Sequence, residues 1–191
     1  FSPFKTVAVV TGIKAGGEYI PRRYRTQAER NNDCENCGTT ITYTESGTIE
    51  TRERIPQDDP AWRPEVPLDE ANTGSDPITA YFELREKLRR NLDQGINATT
   101  VRTYDGKRLA DITFTITGKG KADIRGETIP VLEATATRTP INGYTPKEWK
   151  KFKEGDPIFH ALFADDPTLR LVHFEFDLAL GTLVMELSDE P

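Results

Sequence analysis

Hydrophobic and polar positions alternate along most of this chain. From Thr6 to Val10 apolar and β-branched residues run without a break, Gly16 and Gly17 follow, and Tyr and Ile recur between charges from Glu18 to Thr26. That pattern predicts two strands joined by a glycine turn. Thr39–Thr44 and Thr48–Arg54 flank Glu45, Ser46 and Gly47, a polar loop of hairpin length. Asn97–Tyr104 and Lys107–Thr117 bracket Asp105 and Gly106, which predicts a two-residue hairpin turn whose residues tolerate positive φ at both positions. Ile112, Phe114 and Ile116 alternate with Thr113, Thr115 and Thr117, so one face of that strand is apolar. Thr128–Thr139 reads as a further strand, with Pro130 on an edge or at its start. Leu169–Asp177 and Thr182–Leu187 form a closing hairpin. Val172, Phe174 and Phe176 share one face of its first strand, and Leu183, Met185 and Leu187 one face of its second.

A helical period occurs over one long stretch. Tyr81, Leu84, Leu88 and Leu92 recur at spacings of three and four. Asp76 can cap free amides, Pro77 fits the first turn, and Gly95 offers a stop. The predicted helix, Pro77–Gln94, packs that stripe against a sheet and turns Glu83, Glu86, Lys87 and Arg90 outward. A short second helix follows from the capping box Thr145, Pro146, Lys147, Glu148 and carries Trp149 and Phe152. Residues 56–76 differ: Pro56, Pro60, Pro64 and Pro67 stand among acids with the single base Arg63, which predicts a mobile, proline-rich acidic loop. Some eight or nine strands and one long helix in 191 residues predict a single mainly β domain, 1–191, with an antiparallel sheet.

Three motifs in sequential order carry a resemblance: DPITAYFELR over Asp76–Arg85, YDGKR over Tyr104–Arg108, and LRLV over Leu169–Val172 leading to GTLVMEL over Gly181–Leu187. In order and spacing they resemble an uncharacterised family of exported proteins from Gram-negative bacteria, a domain of unknown function. The resemblance implies a periplasmic or lipoprotein setting. It also implies an antiparallel meander curling into a half-barrel or open barrel around the long helix. It supplies no reaction and no catalytic residues. Family members usually have further strands before the position of Thr6, and a Trp-containing strand where Ala161, Leu162 and Phe163 stand here. Strands missing before residue 1 are therefore expected.

Charge narrows the partners. Thirty-one acids against 25 bases give a formal charge of −6, which argues against a nucleic-acid binder. No apolar run approaches the roughly 18 residues of a membrane-spanning helix. The chain starts at Phe1 without an initiator Met or a signal segment, which reads as a processed or trimmed piece. Two patches interleave bases with aromatics, Arg22, Arg23, Tyr24 and Arg25, and Lys147 to Lys153 around Trp149 and Phe152. Both are read first as solvated surface and second as contacts for anionic headgroups or glycans.

Candidate chemistry is sparse. No nucleophile elbow, zinc-protease motif, phosphate loop or dinucleotide fingerprint occurs. His173 is read as a rim histidine, and Asp165, Asp166 and Pro167, near His160, as a turn. Cys34 and Cys37, the chain's two cysteines, are read as a loop-pinning disulfide in preference to free thiols. A structural zinc would need about four ligands, so no metal and no cofactor are expected. The leading functional expectation is a non-enzymatic envelope protein that binds a lipid or other amphipathic ligand on the concave face of a curved sheet. Phe114, Ile116, Phe174, Phe176, Trp149 and Phe152 are the expected contacts. The alternative is an assembly or structural factor that recruits an envelope protein by strand addition, followed by a hydrolase with a dispersed acid pair. A large apolar cavity would favour the first, a long unpaired strand edge the second, and a pocket of converging acids or histidines the third. Titration of the native chain with a thiol reagent should find no free sulfhydryl before reduction and two afterwards.

Overall fold

Alternation in the sequence becomes ten strands and the helical stripe one long helix in a computed structural model that describes residues 4–30, 37–124, 126–152, 155–178 and 181–186. In order these are β1 (Phe4–Ala15), β2 (Glu18–Arg30), β3 (Gly38–Tyr43), β4 (Ile49–Ile55), α1 (Leu68–Ala71), α2 (Pro77–Asp93), β5 (Ala98–Tyr104), β6 (Leu109–Ile124), β7 (Glu127–Asn142), α3 (Pro146–Lys151), β8 (Pro157–Ala164), β9 (Leu171–Leu178) and β10 (Gly181–Glu186). The chain is mainly β, as expected. β1-β2-β3-β4 form one sheet and β10-β9-β8-β7-β6-β5 another, both meanders in sequence order and neither closed into a barrel. The chain falls into two compact units. The first comprises Phe1–Glu83, Arg102–Ala110 and Pro140–Phe152, and the second Leu84–Val101, Asp111–Thr139 and Lys153–Pro191. Alternation identifies a strand without naming its neighbour, so the partition was not legible from periodicity. The strands expected before residue 1 lie outside the described residues.

The first unit is built on the β1–β4 meander. Gly16 and Gly17 take φ of 59° and 89°, the left-handed conformation of a tight turn whose twist matches the flanking strands. Thr39, Ile41 and Tyr43 are buried at every second position of β3. Ile41 and Tyr43 join Tyr24, Ile49, Val66 and Tyr104 in one core cluster. Asp76 caps α2 as expected: its carboxylate accepts from the amides of Ile78 at 3.1 Å and Thr79 at 3.0 Å and from the Thr79 hydroxyl at 2.7 Å. The Tyr43 hydroxyl donates to the same carboxylate at 3.2 Å. Burial, then the negative charge of Asp76, push the Tyr43 phenol far above its ordinary value, which keeps it a donor.

Two expectations for this unit are corrected. The β5–β6 connection is a four-residue loop, Asp105–Arg108, in which Gly106 alone has positive φ. Asp105 accepts from the amides of Lys107 at 2.9 Å and Arg108 at 2.7 Å, so a side chain closes the turn in place of a second left-handed residue. Residues 56–76 are also more than a loop. They include α1 and bury Arg63, Val66 and Ala71, and Asn142 donates to Glu70 at 2.9 Å.

The second unit holds most of the six-stranded sheet and the C-terminal half of α2. Asn91 donates to the Ala98 carbonyl and to the Thr99 hydroxyl, both at 3.0 Å, and Arg85 Nε donates to the Thr168 carbonyl at 2.8 Å. The helix is thus tied to β5 at one end and to the β8–β9 turn at the other. Leu84 and Leu88 are buried as expected, but Tyr81 and Leu92 are half-buried, and Thr79 and Ala80 are buried instead. Glu83, Glu86 and Lys87, expected outside, are half-buried, while Arg90 is exposed. β8 stands where the resemblance places a Trp-containing strand, and Phe159, Ala161 and Phe163 alternate along it. Pro130, expected on an edge or at a strand start, is the fourth residue of the interior strand β7, and it precedes the first β7–β8 pair, Val131 with Ala164. In β9 a bulge changes the face assignment: Leu162 pairs with His173 and Phe163 with Leu171, which makes Val172 the extra residue. Val172 therefore packs with Ile124, Val131 and Ala164, away from the side that Phe174 shares with Ala161. Leu88 is fully buried, so Leu88→Asp should destabilise the protein by more than about 4 kcal/mol, read as loss of a cooperative thermal transition or of soluble yield.

Candidate functional site

The expected ligand residues fall in different units. Trp149 and Phe152 belong to the first unit, and Phe114, Ile116 and Phe174 to the second. The side chain of Phe176, like those of Leu183 and Met185, lies outside the described residues. Phe114 is buried, with its ring 5.2 Å from that of Phe159 and 6.1 Å from that of Phe163. Phe159 reaches Phe174 at 4.4 Å. Register places Leu132 beside Phe163, Ala134 beside Ala161 and Ala136 beside Phe159, and all three β7 side chains are buried. Phe114 and Phe163 are buried while Phe159 and Phe174 are half-buried, and the alternation of Phe159 and Phe163 was the signal that would have identified the rest of the cluster. Trp149 is 43% exposed, tilted against Tyr144 at 5.7 Å, and Phe152 is half-buried.

Polar chemistry gathers in the first unit. Arg63, 6% exposed, donates to the Gly143 carbonyl at 2.6 Å and to Glu148 at 2.9 and 3.2 Å. Its Nε lies 2.8 Å from Asp58, too bent for a hydrogen bond but close enough for an ion pair. Glu148 also accepts from Arg108 Nε at 3.0 Å and from the Thr145 amide at 2.8 Å. The expected capping box is complete, because Thr145 accepts in turn from the Glu148 amide at 3.2 Å. Burial raises the affinity of Glu148 for a proton, but the hydrogen bonds from Arg63, Thr145 and Arg108 outweigh it and hold the carboxyl far below the usual range.

Next to this network a cleft of about 200 Å³ is lined by Arg52, Arg54, Asp58, Glu65, Tyr104 and Lys107, among others. Small-molecule sites run from roughly 300 to 1,000 Å³, so it suits only a small polar group. Its charges are already paired: Arg52 binds Glu65, the Val66 carbonyl and the Tyr104 hydroxyl, and Arg54 binds Asp58. Lys107 alone among the cations lining this cleft lacks an ion-pair partner among the described residues. Burial, then Arg54 and Arg108, pull its ammonium below the ordinary value. The acid–base cluster expected of a hydrolase is not assembled. His160 is exposed, His173 lies 2.9 Å from Glu175, Asp165 pairs with Lys119 at 3.0 Å, and Asp166 accepts from the Thr168 amide at 2.7 Å as a turn residue. Among the described residues no group of three or more His, Cys, Asp or Glu could hold a metal ion. Cys37 is disulfide-bonded, and its expected partner, Cys34, lies outside the described residues.

A strand edge is the remaining feature with binding potential. β1 is an end strand, with β2 on one side and no described strand on the other. Its residues from Thr6 to Ala15 are exposed except for half-buried Val10. Val7, Val9 and Ile13 are 45%, 51% and 49% exposed. The opposite end strand, β4, carries Glu50, Arg52, Glu53 and Arg54, the charges that discourage edge pairing. At β5 the edge is covered where Ser75 bridges Thr103, through a Ser75 amide bond to Arg102 at 3.0 Å and a Tyr104 amide bond to Ser75 at 2.8 Å.

No family model, curated protein or solved structure matches the chain. No helix among the described residues is long and apolar enough to cross a membrane.

Glu148→Gln should lower stability at pH 7 by about 2–3 kcal/mol, because Arg63 and Arg108 lose their shared counter-charge. The depressed carboxyl sets the sign with pH: its contribution is complete above the ordinary glutamate value near 4.3 and declines as pH falls below it toward the native value. Melting temperatures against pH should therefore fall less steeply on the acid side in Glu148→Gln than in the wild type.

Proposed function

We propose that this chain is a non-enzymatic assembly factor of the bacterial envelope that recruits a protein partner by strand addition along β1. The observation that carries the reading is an end strand of 12 residues, exposed from Thr6 to Ala15 except at Val10 and with a described neighbour on one side alone, on a sheet whose other end strand is guarded by charge. Such an edge offers a row of unused amides and carbonyls, and a protein that keeps one uncovered either uses it or aggregates through it. The disulfide at Cys37 supports an oxidising compartment, in keeping with the periplasmic setting that the family resemblance implies. The lipid-binding reading has less support: Phe114 and its neighbours pack together, and the first-unit cleft is small and polar.

Val7 and Val9 are exposed, so replacing both with Asn lowers strand propensity while leaving the core intact. Affinity capture from envelope extract should retain a protein on the wild type, and at least about ten-fold less of it on the Val7→Asn, Val9→Asn variant. Hydrogen exchange in the captured complex should then protect amides from Thr6 to Lys14. Equal retention by both proteins, or protection confined to other segments, would overturn the reading.

A further inference from the structure

We infer that the strand received by β1 is acidic: an extended segment alternating apolar residues with Glu or Asp, its carboxylates facing Arg23 and Arg25. This rests on the strand-addition reading and names the chemistry of the partner. The chain carries a net charge of −6, yet residues 6–27 hold Lys14, Arg22, Arg23 and Arg25 against Glu18 alone. The acidic excess therefore lies elsewhere, and the β1–β2 hairpin is a basic surface on an acidic protein.

Register shows where these charges stand relative to an incoming strand. Val9 pairs with Arg25, Thr11 with Arg23 and Val7 with Gln27. These residues share the outer side of the hairpin, because Val10 and Tyr24 pair between them and pack into the tyrosine core. A strand added outside β1 would place every second residue on that outer side, about 10 Å from β2. A glutamate stem lying over the methyls of Val7 and Val9 and an arginine reaching back from β2 together span the gap. The intervening residues of the partner would lie beside Ala8 and Val10, where the side chains are small or apolar and a valine or isoleucine fits.

The two guanidinium groups have no carboxylate of their own among the described residues. Among the described residues Arg23 is exposed with no hydrogen-bond or ion-pair partner, and Arg25 meets the amide oxygen of Gln27 at 3.2 Å and no carboxylate. The next strand sets neutral Thr42 beside Arg23 and neutral Thr40 beside Arg25. By contrast Arg52, Arg54, Arg63 and Arg108 elsewhere in this unit are each paired with an acid.

The test uses nine-residue peptides that alternate valine with glutamate, glutamine or lysine, and a glutamate peptide with alternate amides N-methylated. Binding is followed by fluorescence anisotropy against the whole chain. The glutamate peptide should bind about ten-fold tighter than the glutamine peptide, and the lysine peptide more weakly still. Methylation should abolish binding, and Arg23→Glu, Arg25→Glu should reverse the preference toward lysine, which also shows that the variant is folded. Equal binding of all three unmethylated peptides, with methylation still blocking, would overturn the acidic partner and leave strand addition standing. Binding that survives methylation, equal affinity for anionic phosphatidylglycerol vesicles, or no binding of any peptide would overturn both.

Discussion

Glu148 is the point at which the proline-rich stretch is held in the first unit. Prolines at 56, 60, 64 and 67 cannot donate amide hydrogen bonds, so residues 56–67 have little means of holding themselves by a backbone ladder. They are held by a side chain instead. Arg63 turns inward and spends its donors on the Gly143 carbonyl and Glu148, with Asp58 beside its Nε. A guanidinium this far from water is stable only while those acceptors stay in place. Glu148 is kept in place by its own helix through the Thr145 capping box, and the β5–β6 turn is drawn to it through Arg108. Gly143 makes the approach possible: its φ is 79°, and a Cβ there would collide with the Lys107 carbonyl.

That pairing has consequences for chemistry. A cleft lined by three arginines could have been a strong anion site, but Glu65, Asp58 and Glu148 already neutralise them. The charges there serve structure, and what remains is Lys107 in a space too small for an ordinary metabolite. In the second unit the aromatic cluster packs around buried Phe114 and Phe163, with Phe159 and Phe174 half-buried.

The two ends of the first sheet show how one fold treats edges in opposite ways. β4 alternates acids and bases along its length, and each of its arginines is anchored to the neighbouring segment. β1 has valines and threonines in the same role and a lysine near each end. A difference of this kind between the ends of one meander has no packing reason, since neither the exposed valines nor Arg23 contributes to the core.

The features legible in the sequence were those that close within about four residues: the Gly16–Gly17 turn, the Asp76 cap with Pro77 behind it, and the Thr145–Glu148 box. Their physics is local, so residue type and spacing suffice. Alternation likewise identified most strands and the mainly β class. What only the tertiary structure decided involves residues far apart. The bulge that moves Val172 to the other face depends on its pairing with β8, and the burial of Arg63 depends on Glu148 across 85 positions. The exposure of β1 is of the same kind. Its valines read as a strand in the sequence, and they stand on an open edge because β2 takes one side and no described strand takes the other.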